Sequence, residues 1–211
     1  MKKLIVILLL GLNMWIYGTA LGLTQKPTIN YTKVPTEHKS VVNVAGMRSQ
    51  CTGFVGKRNY IVTAKHCVKD GSVVFHITYW DGTVSAGVVV YESDNRDLAV
   101  IKADTRGYPA VAFAPNVQLS LGDQVYHVRY IQEEQGQHRM NGVYGLFDCS
   151  LLDGCYHFVG MAGVPGDSGG ALFLESTGEV IGVTSMSYWP FAAPMSMFAP
   201  IEEVVDWLEA N

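Results

Sequence analysis

The feature that most constrains the fold is how often the chain is interrupted. From residue 41 onward, apolar or alternating stretches of four to eight residues are separated by turn-forming residues, and helical periodicity appears only at the very end. The first set of predicted strands covers 41–47, 51–55, 60–64, 73–79, 84–91 and 98–102, with Asp81-Gly82 as a hairpin signal between the fourth and fifth. The second set covers 124–131, 140–147, 156–159, 171–174, 180–186 and 195–199. Residues 107–117, with Pro109 and Pro115, read as a connector between the sets. After Pro200, apolar residues recur at 201, 204, 205 and 208, which predicts a short amphipathic helix over 201–210. Short strands at regular spacing with one terminal helix imply an all-β sandwich or a pair of barrels. A length of 211 residues suits one such unit, and a hydrophobic fraction of 48% supplies its core.

The N-terminus has the composition of an export signal. Lys2 and Lys3 precede an apolar run over 4–12, broken only by Gly11, and the small residues Gly18, Ala20 and Gly22 place cleavage after Ala20 or Gly22. The other reading of residues 1–22 is a retained anchor, because 4–23 is about as long as a bilayer is thick; Asn13 inside the run favours cleavage. Either way the chain is expected to be exported or secreted, with membrane attachment only through that segment. Residues 23–40 are polar, contain Pro27 and Pro35, and read as an extended lead-in, with Asn30-Tyr31-Thr32 matching the glycosylation pattern. A net charge of −4 argues against a nucleic-acid partner, which calls for a basic face. Four cysteines in an exported chain suggest two disulfides, for which three connectivities exist. Cys149 and Cys155 flank Leu152-Asp153-Gly154 like a hairpin staple, which leaves Cys51 to pair with Cys67. Neither pair is CxxC, and His38, His76, His127, His138 and His157 show no ligand spacing. No metal or cofactor is expected, and those histidines read as surface or hydrogen-bonded structural residues.

Three local patterns carry chemistry: Thr63-Ala64-Lys65-His66-Cys67, Asp97-Leu98-Ala99-Val100 and Gly166-Asp167-Ser168-Gly169-Gly170. A serine hydroxyl is a weak nucleophile at neutral pH and needs a base to take its proton. Gly166, Gly169 and Gly170 permit backbone conformations closed to other residues and let a substrate backbone approach. The N–H groups of Gly166 and Ser168 are the pair expected to hold an oxyanion, each such donor contributing about 3 kcal/mol in the transition state. His66 in turn needs a buried carboxylate on its far ring nitrogen. Asp97, leading into an apolar strand, fits that role; the competing Asp94 sits in the polar stretch 92–96.

Taken together, these patterns resemble the trypsin-like serine peptidases, with His, Asp and Ser in that family's chain order. The family's TAAHC reads TAKHC here, GDSGG is matched letter for letter, and Cys51 lies 16 residues before Cys67, as in the family's disulfide beside the histidine. The resemblance covers about 41–200 and is nearest the short bacterial and viral members and the HtrA-like peptidase domains. It implies two six-stranded antiparallel β-barrels, over about 41–104 and 116–200, and a serine endopeptidase acting through an acyl-enzyme. Ser168 would be the nucleophile, His66 the general base and acid, and Asp97 the group that orients His66. No Arg-Ile-Val-Gly-Gly activation site precedes His66, so Asp167 is expected to pair internally or cap a turn. The resemblance places Ala162, Ser185, Met186 and Ser187 at the substrate, with Met195 and Met197 on the far wall. Alanine at 162 offers no partner to Arg or Lys, so a small or apolar residue at the cleaved position is expected, in a polypeptide held as an added strand. The alternative is a protease-fold binding protein without catalysis; an esterase is disfavoured because the serine lies in GDSGG and the triad order is not Ser, Asp, His. Tyr188, Trp189, Pro190 and Phe191 read as a packed aromatic loop or, alternatively, a contact site.

Overall fold

The computed structural model describes residues 32–33, 38–131, 136–152, 154–188 and 194–211. The expected signal segment, most of the lead-in and the aromatic residues at 189–191 lie outside the described residues. Among the described residues, no helix is long and apolar enough to cross a membrane.

Thirteen strands run in chain order: β1 (Thr32–Lys33), β2 (Val41–Ala45), β3 (Gln50–Lys57), β4 (Tyr60–Thr63), β5 (Phe75–Thr78), β6 (Val84–Glu92), β7 (Ala99–Ala103), β8 (Gln124–Ile131), β9 (Gly136–Leu152), β10 (Gly154–Gly160), β11 (Ala171–Leu174), β12 (Val180–Tyr188) and β13 (Met195–Pro200). Helix α1 (Glu202–Ala210) closes the chain. Strands β2-β3-β4-β7-β6-β5 close one antiparallel barrel. Strands β8, β9, β10, β13, β12 and β11 close a second through the β8–β9 pairing. Two residues of the lead-in, read from sequence as merely extended, add a short strand to the outside of β9, Thr32 opposite Arg139.

The continuous apolar runs of the first barrel are explained by burial on both faces. On β2, β4 and β7, Val42, Ile61, Ala99 and Ile101 point into the first barrel. Their neighbours of opposite parity, Val41, Val62 and Val100, join Phe54 and Leu98 against Tyr126, Val128, Phe173 and Val183 of the second barrel and Val204, Val205 and Leu208 of α1. Side chains alternate across a strand, so a strand caught between two cores loses its polar half. The amphipathic helix is held by that shared core, and Lys57 Nζ donates to Leu208 O at 2.8 Å at its end. The Asp81-Gly82 hairpin forms, with Gly82 at φ 81° and Asp81 Oδ1 accepting the Thr83 N–H at 3.0 Å.

Both disulfides are present, Cys51–Cys67 and Cys149–Cys155. Cys51–Cys67 ties β3 to the turn after β4 and spans 16 residues. Replacing both cysteines by serine is expected to lower stability by about 3 kcal/mol, mainly by releasing the unfolded chain, as measured by urea denaturation.

Candidate active site between the barrels

Strand β4 ends at Thr63, and the chain turns into a 3-10 helix over Lys65–Val68 with the Cys67 N–H on Ala64 O at 3.1 Å. That turn lifts His66 to the mouth of the cleft, where its side chain is 48% exposed. Asp97 comes from the loop before β7, and the loop is held on three sides. The fully buried Ser93 accepts the N–H groups of Asn95 and Arg96 at 3.2 and 2.9 Å. Lys65 Nζ donates to Ser93 O, which gives the lysine of TAKHC a partner. Arg96 Nη1 donates to Pro200 O of the second barrel at 3.0 Å. Asp94 remains exposed.

The Asp97 carboxylate then grips His66 twice. Oδ1 accepts the His66 backbone N–H at 2.9 Å, and Oδ2 lies 2.7 Å from Nδ1. Oδ2 also accepts the Ser185 hydroxyl at 2.6 Å. An ionised carboxylate only accepts, so Nδ1 carries the ring proton and Nε2 is left as the basic nitrogen. Burial pushes the Asp97 carboxyl up, but the hydrogen bonds from His66 and Ser185 outweigh it and hold the group below the usual carboxylate range. Its stabilising contribution is therefore complete above the unfolded carboxyl range and fades as pH falls through the folded value.

The serine turn is pressed against the end of β4, where the chain leads into the His66 turn. Gly169, at φ 83°, lies so close that an added Cβ would fall 2.1 Å from Thr63 Oγ1, 2.2 Å from Thr52 O and 2.9 Å from Ala64 N. Only glycine satisfies both the conformation and the space. Thr52 N–H donates to Ser168 O at 2.9 Å, and Thr52 Oγ1 donates to Gly166 O at 2.7 Å. On the other side, Gly169 N–H donates to Thr184 O at 2.7 Å, one residue before the serine that holds Asp97. Segments from β3, the His66 turn, the Ser168 turn and β12 thus converge along the seam. Ser168 lines a cavity of about 290 Å³ there, with Gly163, Val164, Pro165, Thr184, Met186 and Ser187.

Asp167 both pairs internally and caps a turn. It is 2% exposed; Oδ2 accepts the Val164 N–H at 2.8 Å, and Oδ1 faces Arg129 Nη1 of β8 at 3.1 Å. The same guanidinium lies under Gly166, whose added Cβ would be 3.4 Å from Nη2. Arg129 was not singled out from sequence; only its place on a strand that pairs with β11 brings it beneath the turn.

Three residues expected at the substrate wall, Ala162, Met195 and Met197, lie elsewhere. Ala162 does not line the cavity: it is buried in the core of the second barrel with Val159 and Leu172, and Gly163 takes the place at the wall. Met195 and Met197 lie on the far side of β13, packed with Tyr156 and Phe158. Between them the buried Ser196, opposite Ser187 in register, sits behind the wall, its hydroxyl 3.1 Å from that of Ser187 and donating to Met161 O at 3.1 Å. Strand parity at the Ser187↔Ser196 pair is the signal that would have found it. Finally, the Ser185 hydroxyl is committed to Asp97. Among the described residues, the one compact group of metal-type ligands is Cys51, His66 and Cys67, and its sulfurs are consumed by the disulfide.

Two antiparallel barrels with a His–Asp couple and a glycine-flanked serine in their seam define the double-barrel serine peptidase architecture. The chain belongs to the trypsin-like peptidase domain family, which matches residues 51–183. It is 31% identical over 182 residues to a probable periplasmic serine endoprotease, DegP-like, of Rhizobium meliloti, covering 76% of this chain and 33% of that protein. A similarly named protein of Chlamydia muridarum is 29% identical over 146 residues, covering 64% of this chain and 27% of its own length. The chain thus spans about a third or less of the length of these relatives. Among solved structures, the serine endoprotease from Yersinia pestis superposes with a TM-score of 0.70 at 23% identity, covering 84% of this chain and 67% of that one. An inactive mutant form of Rv3671c from M. tuberculosis H37Rv gives 0.69 at 20% identity, covering 88% and 93%. At these identities the structural likeness speaks for the fold.

Proposed function

We propose that this protein is an exported serine endopeptidase. The observation that carries the reading is the Asp97 carboxylate, which holds His66 by Nδ1 and by the backbone N–H and leaves Nε2 as the basic nitrogen, while backbone bonds from Thr52 and to Thr184 set the Ser168 turn against the strand that leads to His66. In the first half-reaction, Ser168 Oγ attacks the peptide carbonyl carbon while its proton passes to His66 Nε2. The oxyanion falls to the N–H groups of Gly166 and Ser168. The imidazolium gives its proton to the leaving amine as the C–N bond breaks. Water, deprotonated by the same nitrogen, then cleaves the acyl-enzyme. Export follows the likeness to relatives named periplasmic and the composition of residues 1–22. The test is digestion of casein: the wild type should give internal cleavage products and Ser168→Ala none. An intact substrate in both would leave the binding-protein reading standing.

The substrate chain lies along β12. Strand β11 pairs with β12 only as far as Ala171↔Val183, so from Ser185 onward β12 offers an unladdered edge on the cleft side. Main-chain pairing there supplies affinity, and the cavity beside Ser168 selects the side chain. Its wall is narrowed by Ser187, whose Oγ occupies the space over Gly163, where an added Cβ would come within 1.8 Å. The carboxylate lining it, Asp167, is already matched by Arg129. Small uncharged residues such as Ala or Val are therefore expected at the cleaved position. Ser187→Gly should open the cavity and raise kcat/KM for a Leu or Phe substrate relative to Ala by about tenfold or more, in the range that one or two methylenes command. Peptide-library profiling checks this, and a wild type that prefers Arg or Lys contradicts it.

A further inference from the structure

Beneath the serine turn lies a second, fully internal histidine and aspartate couple. His127 of β8 is 1% exposed, and its ring packs under the turn: an added Cβ on Gly170 would lie 2.3 Å from His127 Cε1. Nδ1 stands 3.2 Å from both Ala171 O and Thr184 Oγ1. The single Thr184 hydroxyl proton is directed to Gly170 O at 3.0 Å, so both neighbours of Nδ1 act as acceptors and Nδ1 must carry the proton. Nε2 is then a bare lone pair. It is buried, lacks a hydrogen-bond partner among the described residues, and lies 3.8 Å from Asp167 Oδ1. That same oxygen faces Arg129 Nη1 at 3.1 Å without an aligned hydrogen bond. The groups facing the ring are thus Asp167 from the turn, Ala171 O from β11, Thr184 from β12, Phe198 from β13 with ring centroids 6.2 Å apart, and, across Asp167, Arg129 from its own strand.

We propose that His127 is a positioning residue for the serine turn, and that proton uptake at its Nε2 draws Asp167 away from Arg129 and so loosens the Gly166 and Ser168 N–H pair. The inference rests on the endopeptidase reading. Two acceptors facing each other at 3.8 Å repel weakly; one proton between them makes a charge-assisted hydrogen bond, whose length is about 2.8 Å. Closing that gap means moving Oδ1 by about 1 Å. Asp167 Oδ2 and N–H are both bonded to Val164, at 2.8 and 3.1 Å, so the shift is transmitted to the short turn that includes Gly166. The neutral ring supports the productive turn and the protonated ring distorts it. Asp167 lines the cavity, but its carboxylate is engaged by Val164 and Arg129 and acts through the turn, so the effect falls mainly on kcat.

The test has an arm that needs no activity. In Ser168→Ala protein, imidazole nitrogen shifts should report His127 as the Nδ1–H form at neutral pH and protonation of Nε2 on acidification, with that protonation displaced to lower pH in Ser168→Ala/Asp167→Asn. In active enzyme, the acid limb of log kcat against pH should steepen from a slope of one to two where far-UV circular dichroism is unchanged. His127→Gln, which keeps a donor for Ala171 O but cannot titrate, should hold neutral-pH kcat within about threefold and show a slope of one throughout. His127→Leu should lower kcat at every pH with KM within about twofold. An Nε2–H tautomer at neutral pH, a titration unmoved by Asp167→Asn, or superimposable acid limbs in wild type and His127→Gln would each overturn the proposal. A wild type that hydrolyses nothing while the nitrogen shifts behave as stated would instead count against the endopeptidase reading alone.

Discussion

Asp97→Asn should lower kcat on a peptide substrate by about 10⁴-fold at neutral pH with little change in KM. An amide at 97 can still accept the His66 backbone N–H at the Oδ1 site, so the turn should stay in place. Its NH₂, however, would face Nδ1 in place of Oδ2, and a donor there forces the ring proton onto Nε2. The nitrogen that must take the serine proton is then already occupied. The imidazolium formed in the transition state also loses its counter-charge. Ser185, which donates to the same carboxylate oxygen, would have to turn away or meet a second donor. Steady-state kinetics with Tm as a control for folding decides it. A loss below tenfold would mean that Asp97 holds the loop and does not set the tautomer.

Asp167→Asn should destabilise the fold by about 3–5 kcal/mol, because it breaks an ion pair between Asp167, itself 2% exposed, and an Arg129 side chain that is only 12% exposed. It should also lower kcat by about 10²–10³-fold, the cost of misplacing one oxyanion donor, since the guanidinium lies directly under Gly166. Arg129→Met should do much the same from the other side, leaving a carboxylate buried and unmatched. The double variant Asp167→Asn/Arg129→Met should recover stability relative to either single change, as buried pairs replaced on both sides commonly do, while kcat stays low. Urea denaturation with kcat measured on the same samples checks both halves. Additive stability losses in the double variant would show that the two groups are not coupled.

Much of this was legible before the structure. Twelve of the thirteen strands and the terminal helix follow from short apolar or alternating runs and one amphipathic stretch, and the loop after β5 follows from Asp81-Gly82. Local patterns could not show long-range pairing. Strand β9 was expected over 140–147 but runs over Gly136–Leu152, because its polar first half pairs residue for residue with β8, from Gln124↔Val143 to Ile131↔Gly136. Gln137 is buried there by donating to His38 O and Val41 O, partners about a hundred residues away in sequence. The site shows the same division. His66, Asp97 and Ser168 announce themselves by local motifs, while Ser196, Arg129 and His127 acquire meaning only from the strands they face. Counting back from Ser168 to find the pocket wall missed by one residue, and one residue on an extended segment turns a side chain to the opposite face.

The most direct measurement is covalent trapping. Wild-type protein treated with a fluorophosphonate should gain one adduct by intact mass, located by peptide mapping on Ser168, with labelling abolished in Ser168→Ala and slowed by orders of magnitude in His66→Ala. An adduct on any other serine, or equal labelling with and without the imidazole at 66, would contradict the account.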